Sequence, residues 1–331
     1  MSRTVTRPAD SPTCAGAPVS AKKNRASSAK QAARQRTAEI RAQQEAAERK
    51  RRLLLAAVTS VVVLAIIGAI VAVAVLDKDK PSPAAAGAVA LDAAALSSIN
   101  DVPASAFAAA GVSDQITNGP KRVKDAPAAT RDGKPQVLYV GAEYCPYCAG
   151  LRWSTAVALG RFGQWTSLTE SKSIQEAGLD PLSTVSFSQQ NHGAAYASET
   201  LTFNGYETTT SEQRNGQFVK LDRLEGQDDA TFKKYDFPPY VEGQGGSIPF
   251  LSIGGKTFQS GGIFDVRVLE GKSTQQIATA LKDPQDETTK QILSGANVIT
   301  AAICEQTGNK PADVCSSAPV KAGAAKIKDH Q

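Results

Sequence analysis

The sequence predicts an α/β domain preceded by one transmembrane helix, and three stretches of the chain support this. Residues 137–140 form a short run of β-branched, apolar and aromatic side chains, typical of a buried strand, and a helical segment follows them. A second apolar strand, residues 250–253, begins directly after Pro249. The uncharged apolar run at residues 53–76 would span about 36 Å as a helix, enough to cross a hydrocarbon core of about 30 Å.

A Cys145-Pro146-Tyr147-Cys148 motif separates the first strand from its helix. Proline is tolerated in a first helical turn, and Gly163 is well placed to end this helix in a left-handed conformation. Cys145 is therefore expected at the helix N-terminus, where unpaired N–H groups and the helix dipole favour the nucleophilic thiolate. Cys148 lies one turn further on, within reach of the first sulfur, so the pair can cycle between dithiol and disulfide.

The order of strand, CxxC motif and helix resembles the thioredoxin superfamily, and CPYC is the variant commonest in glutaredoxins. The preceding Ala142-Glu143-Tyr144 is also similar to the segment before the thioredoxin motif. The longer string GAEYCPYCAGLRWSTAVALGRFG more closely resembles a family of bacterial membrane-anchored thioredoxin-like proteins of unknown function. The resemblance implies a thioredoxin-like sheet flanked by helices, with Cys145 and Cys148 as the catalytic pair.

The resemblance also implies a substrate groove beside the motif. In thioredoxin-like proteins a cis proline before the equivalent strand packs against the active-site disulfide, and the preceding residue offers backbone hydrogen bonds to the substrate. Here these residues would be Pro249 and Ile248, and an ordinary strand-initiating proline is the alternative. The expected groove consists of Tyr144, Pro146, Tyr147, Ile248 and Pro249.

Two features depart from the thioredoxin pattern. Thioredoxins carry a buried carboxylate six residues before the first cysteine, and here that position is Tyr139, which cannot serve as an acid near neutral pH. Glu143 is closer to the motif but is expected to be solvated. Pro249 follows Cys145 by 104 residues, so the extra segment, roughly residues 171–246, is expected to form an insertion over the site.

The positive charge of the chain is concentrated in its N-terminal tail. Residues 1–52 contain 13 Lys and Arg against 4 Asp and Glu, which leaves a net charge of −4 for the rest of the chain. Nucleic-acid binding by the folded domain is therefore not expected. Because the basic cluster directly precedes residues 53–76, the positive-inside rule predicts a cytoplasmic tail and a single span in the lipid bilayer. A cleaved signal peptide is the alternative.

The segment after the span is predicted to lie outside the cytoplasm. Residues 77–95 are rich in Ala and Pro and are expected to form a spacer, and residues 96–331 are expected to form the extracytoplasmic thioredoxin-like domain. Cys14 falls on the cytoplasmic side, whereas the other four cysteines fall where disulfides persist. Cys304 and Cys315 are predicted to form a structural disulfide that stabilises the fold by about 2–3 kcal/mol. An electron relay to Cys148 is the alternative.

Other elements are predicted from turn and capping signals. Asn204-Gly205 supplies the positive φ angles that a tight type I′ hairpin demands. A strand at residues 184–187 is a candidate neighbour in the central sheet. The remaining predictions are a helix at residues 229–235 capped by Asp228 or Asp229, a helix from Ser273 to about Lys282 begun by a capping box, and an amphipathic helix from Glu287 to Cys304.

The predicted function is thiol–disulfide exchange on extracytoplasmic protein thiols or disulfides, without a metal or organic cofactor, and a membrane redox partner is considered as well. The main alternative is a membrane-tethered binding or scaffolding module on an inactive thioredoxin-like fold. A zinc site is disfavoured because no second pair of closely spaced ligands accompanies the CxxC motif. The two histidines of the chain are His192, which is predicted to lie in a loop, and His330. A thiol-based factor that handles copper or haem apoproteins is a third alternative, and the absence of methionine and histidine clusters from the outer domain counts against copper.

Overall fold

The computed structural model describes residues 88–176, 178–190 and 193–330. These residues form a mixed α/β fold with a central mixed sheet, which confirms the α/β part of the predicted fold class. The α-helices are α1 (Ala93–Asn100), α2 (Ala104–Ala110), α3 (Pro146–Gly160), α4 (Gly226–Tyr235), α5 (Thr274–Ala280), α6 (Glu287–Gln306), α7 (Ala312–Cys315) and α8 (Ala318–Ala324). The strands are β1 (Lys121–Arg122), β2 (Thr130–Arg131), β3 (Lys134–Gly141), β4 (Gln164–Ser167), β5 (Thr169–Lys172), β6 (Ser183–Ser186), β7 (Ala195–Ala197), β8 (Thr202–Glu207), β9 (Thr209–Arg214), β10 (Gln217–Lys220), β11 (Phe250–Ile253), β12 (Thr257–Ser260) and β13 (Lys328–Asp329).

Several predictions concern other parts of the chain. The basic tail at residues 1–52 with Cys14, the apolar run at residues 53–76, and His192, predicted to lie in a loop, all fall outside the described residues. Within the described ranges, no helix combines the length and the apolar character needed to cross a bilayer.

The described part of the predicted spacer, residues 88–95 of 77–95, is packed against the domain. Leu91 is buried, and its N–H donates to the Leu168 carbonyl oxygen at 2.8 Å. Helix α1 then starts at Ala93 and is capped by the side chain of Asp92. The chain is therefore part of the fold from about residue 90 onward, earlier than the predicted boundary at residue 96.

Strand β3 is the centre of the seven-stranded sheet. The main strand order is β13-β1-β12-β11-β3-β2, and β8 pairs with β3 in parallel. Val137 and Tyr139 of β3 belong to the larger apolar core, whereas Leu138 and Val140 belong to a second cluster that includes Phe250. Because both faces of β3 are covered, its sequence is a continuous apolar run, as predicted for a buried strand.

Helices α3 and α6 pack closely against each other in the larger core. Ser154 of α3 donates a hydrogen bond to the Ile292 carbonyl oxygen of α6 at 2.9 Å. A Cβ atom on Gly295 would lie 2.4 Å from the Ser154 Oγ, so the glycine is required by this close approach. The contact fixes α3, the helix that begins at the CxxC motif.

The predicted hairpin at Asn204-Gly205 is wrong. Both residues lie inside β8, where Asn204 is opposite Leu138 of the parallel strand β3. A Cβ atom on Gly205 would lie 2.6 Å from the Phe187 carbonyl oxygen. The glycine therefore permits a close backbone approach and does not form a turn.

The strand predicted at residues 184–187 exists, but its place in the central sheet is wrong. β6 pairs antiparallel with β5 in a separate two-stranded sheet. β8 is the strand that takes the position next to β3. The apolar alternation therefore indicated that this segment is a buried strand, but it did not indicate which strand pairs with it.

Two predicted helix boundaries are also wrong. Helix α3 ends at Gly160, so Gly163 lies beyond its C-terminus. A Cβ atom on Gly163 would lie 2.2 Å from the Ala197 carbonyl oxygen, so the glycine permits a close backbone approach. Helix α4 begins at Gly226 with Glu225 as its N-cap, whereas Asp228 lies inside the first turn and is buried. Asp228 instead accepts hydrogen bonds from the sheet residues Gln136 at 2.8 Å and Tyr206 at 2.9 Å.

Other predicted elements are confirmed. β11 and β12 form an antiparallel hairpin, joined through Gly254 and Gly255 at φ values of 60° and 69°. Ser273 and Gln276 form the predicted capping box at the start of α5. Helix α6 begins at Glu287 as predicted and continues to Gln306.

Candidate active site

The CxxC motif lies at the N-terminus of α3, four residues after the end of β3. Cys145 is the N-cap residue, and Pro146 occupies the first helical turn. The Sγ atom of Cys145 accepts the backbone N–H of Cys148 at 3.2 Å. The strand, the N-cap and the proline thus place a backbone donor on the sulfur that is expected to attack.

The two cysteines differ in environment. Both are free thiols; Cys145 is 5% exposed and Cys148 is 0% exposed. Burial raises the pKa of the Cys148 thiol well above its ordinary value, the adjacent Cys145 raises it further, and the Arg152 guanidinium lowers it. The order of exposure fits an attacking Cys145 and a resolving Cys148.

The predicted groove residues lie around the motif. The Cys145 thiol donates to the Ile248 carbonyl oxygen at 3.8 Å although 103 residues separate them. The Ile248–Pro249 peptide bond is cis. Tyr147 is 47% exposed, Tyr144 and Ile248 are half-buried, and Pro146 is buried. Tyr147 is therefore the side chain of this set that is most open to a partner.

A hairpin formed by β9 and β10 covers the segment before the motif. Tyr144 stacks face to face on Phe218, with ring centroids 4.1 Å apart and planes 4° apart. The Glu143 N–H donates to the Thr209 carbonyl oxygen at 2.9 Å. Part of the segment at residues 171–246 therefore lies against the site, as expected for an insertion.

Glu143 was predicted to be solvated, and the structure differs from this prediction. Its side chain is half-buried, and its Oε1 atom accepts a hydrogen bond from the Ser186 hydroxyl at 2.7 Å. β6 supplies this partner because it lies beside the loop between β3 and α3.

A fully buried ion pair lies behind the motif. The side chains of Arg152 in α3 and Glu207 in β8 are both 0% exposed, and they form two hydrogen bonds of 2.8 and 2.9 Å. The Arg152 Nη2 atom also donates to the Ala142 carbonyl oxygen at 2.6 Å, and Glu207 accepts the Phe187 N–H at 3.2 Å. These contacts join the active-site helix, the loop before the motif and the central sheet.

Burial dominates the electrostatics of this pair. It raises the pKa of the Glu207 carboxyl to about 7, against the opposing effect of Arg152. Burial also disfavours the charged Arg152, but Glu207 outweighs it and holds the pKa of the guanidinium above its ordinary value. Tyr139, in the place of the thioredoxin carboxylate, is buried, and burial raises the pKa of its hydroxyl well above the ordinary value.

The other two described cysteines lie away from the motif. The Sγ atoms of Cys304 and Cys315 are 1.97 Å apart, at disulfide distance. Gln306, two residues after Cys304, lies against Gly254, where a Cβ atom would be 2.6 Å from its Cγ. Pro249 precedes β11 and Gly254 follows it, and the far end of the strand at Ile253 lies about 13 Å from Pro249. This position disfavours an electron relay to Cys148.

Residues 88–176, 178–190 and 193–330 contain no group of three or more His, Cys, Asp or Glu side chains placed to hold a metal ion.

The chain matches a protein family described as a domain of unknown function, DUF929, over residues 123–305, more than half of its length. The chain belongs to the DUF929 family. Neither the curated proteins nor the solved structures gave a match. The region matched to DUF929 contains the CxxC motif, Arg152, Glu207 and Pro249, whereas Cys315 lies outside it.

Sequence reasoning missed the ion pair of this DUF929 domain. Arg152 lies between Leu151 and Trp153 in an otherwise apolar helix, four residues after Cys148. That spacing places Arg152 and Cys148 on one helix face, which was the available signal. Glu207 could not be assigned because its strand was predicted as half of a hairpin.

Sequence reasoning also missed a buried carboxylate near the groove. Asp236 directly follows α4 and is 0% exposed. Its carbonyl oxygen accepts a hydrogen bond of 2.6 Å from the N–H of Gly246, and Gly246 lies two residues before Ile248. Burial raises the pKa of the Asp236 carboxyl to about 7.

Asp236→Asn is expected to reduce the pH dependence of stability. The folded-state pKa of about 7 lies above the ordinary 3.8, so the native state keeps a proton that the unfolded chain has released. The free energy of unfolding should therefore fall as the pH rises from about 4 to 7 and then level off. The variant should match the parent near pH 4 and exceed it above pH 7 by up to about 4 kcal/mol.

The measurement is urea unfolding at several pH values for the parent, Asp236→Asn and Asp180→Asn, where Asp180 is an exposed carboxylate. Asp180→Asn should leave the slope of stability against pH unchanged. If Asp236→Asn keeps the parental slope as well, the raised pKa of Asp236 is wrong.

Proposed function

We propose that this protein is a membrane-anchored, extracytoplasmic thiol–disulfide oxidoreductase that acts on protein cysteines through Cys145 and Cys148. The observation that carries the proposal is the position of Cys145 at the N-cap of α3, with the N–H of Cys148 on its sulfur. A thiolate at a helix N-terminus with a second thiol one turn away is the arrangement that exchange requires. The proposal includes a thioredoxin-like fold, which is supported by β3 before the motif and the cis Ile248–Pro249 bond beside it.

The proposed reaction has two steps. The Cys145 thiolate attacks a substrate disulfide, forms a mixed disulfide and releases the first substrate thiolate. The Cys148 thiolate then attacks the Cys145 sulfur, so the Cys145–Cys148 bond forms and the second substrate thiolate leaves and takes up a proton. The substrate gains two electrons and the cysteine pair loses two; the reverse sequence oxidises a substrate dithiol.

The proposed location rests on the sequence before the domain. The basic tail followed by the apolar run at residues 53–76 supports a single span in the lipid bilayer with the C-terminal domain outside. The disulfide-distance pair Cys304 and Cys315 fits an oxidising compartment. The partners would be extracytoplasmic protein thiols or disulfides and a membrane redox protein that resets the pair.

A membrane-tethered binding or scaffolding module is the second candidate function. The observation that favours it is the burial of both sulfurs, since Cys145 is 5% exposed and Cys148 is 0% exposed. Cysteines that react with proteins are usually partly exposed. In such a module the Cys145–Cys148 disulfide would only hold the N-terminus of α3 in place.

An equilibrium redox titration of the full-length protein distinguishes the two functions. Free thiols are alkylated at each redox poise, and the parent is compared with Cys145→Ser and with Cys304→Ser. Exchange activity predicts a reversible two-electron transition between about −120 and −270 mV that Cys145→Ser abolishes and Cys304→Ser leaves in place. A pair that stays closed below about −300 mV would instead support the binding module.

A further inference from the structure

We propose that the buried Arg152–Glu207 ion pair adjusts the reactivity of Cys148, with the Arg152 guanidinium as the positioning residue that stabilises the Cys148 thiolate during resolution. This inference rests on the proposed thiol–disulfide exchange and assigns it a further residue. It also gives the site a charge that Tyr139 does not provide.

Stability alone is a weak reason for burying this pair. Removing two charges from water costs several kcal/mol per ion, and apolar side chains of similar volume are often as stable or more stable. The ion pair of Arg131 with Asp228, by contrast, keeps one partner in contact with solvent, because the Arg131 side chain is 47% exposed. Arg152 and Glu207 have no such contact, because both side chains are 0% exposed.

The fold brings the pair against the loop that leads into the motif. Arg152 follows Cys148 by one helical turn and lies on the same face of α3. Glu207 is opposite Gly141 in the parallel pairing of β8 and β3. Gly141 lies four residues before Cys145. The bond from Arg152 to the Ala142 carbonyl oxygen, 2.6 Å, holds the guanidinium against the loop that leads into the motif.

The guanidinium has donor capacity that the ion pair does not use. Its Nη1 atom is buried and has no hydrogen-bond partner among the residues that the structure describes, and the same is true of the Tyr139 hydroxyl. A Cβ atom on Gly141 would lie 2.3 Å from that hydroxyl oxygen, so Tyr139 reaches the end of β3 next to the motif. An unpaired buried donor is unfavourable, and more so if it is charged. A thiolate formed nearby would lower this cost.

The groups that face Cys148 have opposing effects. Burial and the adjacent Cys145 raise the pKa of the Cys148 thiol, Arg152 lowers it and Glu207 raises it. The buried Tyr139 hydroxyl also interacts with Cys148 from β3. Among these groups Arg152 is the cation, so the two members of the ion pair act on the thiolate with opposite sign.

In the resolving step this charge has a defined role. Cys148 releases its proton to solvent, and its thiolate attacks the Cys145 sulfur. The Cys145–Cys148 bond forms, the bond from Cys145 to the substrate breaks, and the departing thiolate takes up a proton from solvent. Between proton release and bond formation the negative charge lies in a buried site, where Arg152 compensates it.

The test follows both steps in the full-length chain carrying Cys14→Ser. The probe is dithiobis-nitrobenzoate, an aromatic disulfide that releases one coloured thiolate when Cys145 attacks and a second when Cys148 resolves. Stopped-flow absorbance across neutral and alkaline pH separates the two phases. The variants are Arg152→Gln, Arg152→Lys, Glu207→Gln and, as a control, Arg161→Gln. Arg161 caps the far end of α3 and contacts Asn297 at 3.1 Å.

Opposite signs are the expected result. Arg152→Gln should slow the second phase about threefold to tenfold at neutral pH, because the lost thiolate fraction outweighs the gain in nucleophilicity. Glu207→Gln should accelerate the second phase by a similar factor, and Arg152→Lys should stay near the parent. Arg161→Gln should change neither phase.

A purely structural role would give a different pattern. Loosening the site would move the second phase in the same direction for Arg152→Gln and Glu207→Gln, and that result overturns the inference. If Arg152→Gln fails to fold, Glu207→Gln and Arg152→Lys still decide, since a slower second phase in either one contradicts charge compensation. A parent without a second phase would refute the proposed exchange itself, whereas a normal parent with unaffected variants would refute only the role of Arg152.

Discussion

Cys148→Ser is expected to accumulate a mixed disulfide between Cys145 and an extracytoplasmic protein, whereas Cys145→Ser should accumulate none. The Cys145 sulfur lies at the helix N-terminus with a backbone donor, and Cys148 is fully buried one turn behind it. Without Cys148 the first step still occurs, but the intermediate cannot be released within the protein. Both variants should reduce disulfide turnover to the uncatalysed rate.

The measurement is non-reducing electrophoresis and mass spectrometry of the full-length protein after acid quenching. Cys14→Ser is the matched control, because Cys14 lies in the predicted cytoplasmic tail and its loss should change neither trapping nor turnover. Equal trapping by Cys145→Ser and Cys148→Ser would contradict the assigned roles. Full activity in the double variant would favour the binding module.

Glu207→Ala is expected to destabilise the domain by about 3–5 kcal/mol, because it leaves the buried Arg152 without its counter-charge. Glu212→Ala is the control. Glu212 pairs with Arg214 on the surface, with side chains 47% and 59% exposed, and its loss should cost no more than about 1 kcal/mol. Replacing Arg152 by Met and Glu207 by Leu together should recover most of the loss.

Urea unfolding at pH 8, above the raised pKa of Glu207, measures these differences. A loss of less than about 1 kcal/mol in Glu207→Ala would show that the charge of Arg152 is satisfied by other means. The double variant should unfold normally and resolve mixed disulfides at close to the parental rate, since it loses together the two charges that act on Cys148 with opposite sign.

Local sequence patterns predicted the elements whose signals are self-contained. β3 has its apolar run, α3 begins at Pro146, β11 and β12 are joined by Gly254-Gly255, and α5 has its capping box. β8 could not be predicted, because the turn preference of Asn204-Gly205 is local and the close approach of Phe187 is not.

The same distinction holds for the candidate site. Cys145, Cys148 and Tyr147 are contiguous in the sequence, and the motif alone located them. Ile248 and Pro249 came from the resemblance to thioredoxin-like proteins. Arg152 and Glu207 are 55 residues apart and meet only through the parallel pairing of β8 with β3, which no local pattern reports.

The pairing of β8 with β3 links strand register to charge neutrality. Successive side chains of a strand point to opposite faces, so a slip of one residue would carry Glu207 to the other face of the sheet. Arg152 would then remain in the core as a cation without a counter-ion. A misaligned sheet is therefore penalised electrostatically as well as by lost apolar packing, so the ion pair favours the observed register of β8 and β3.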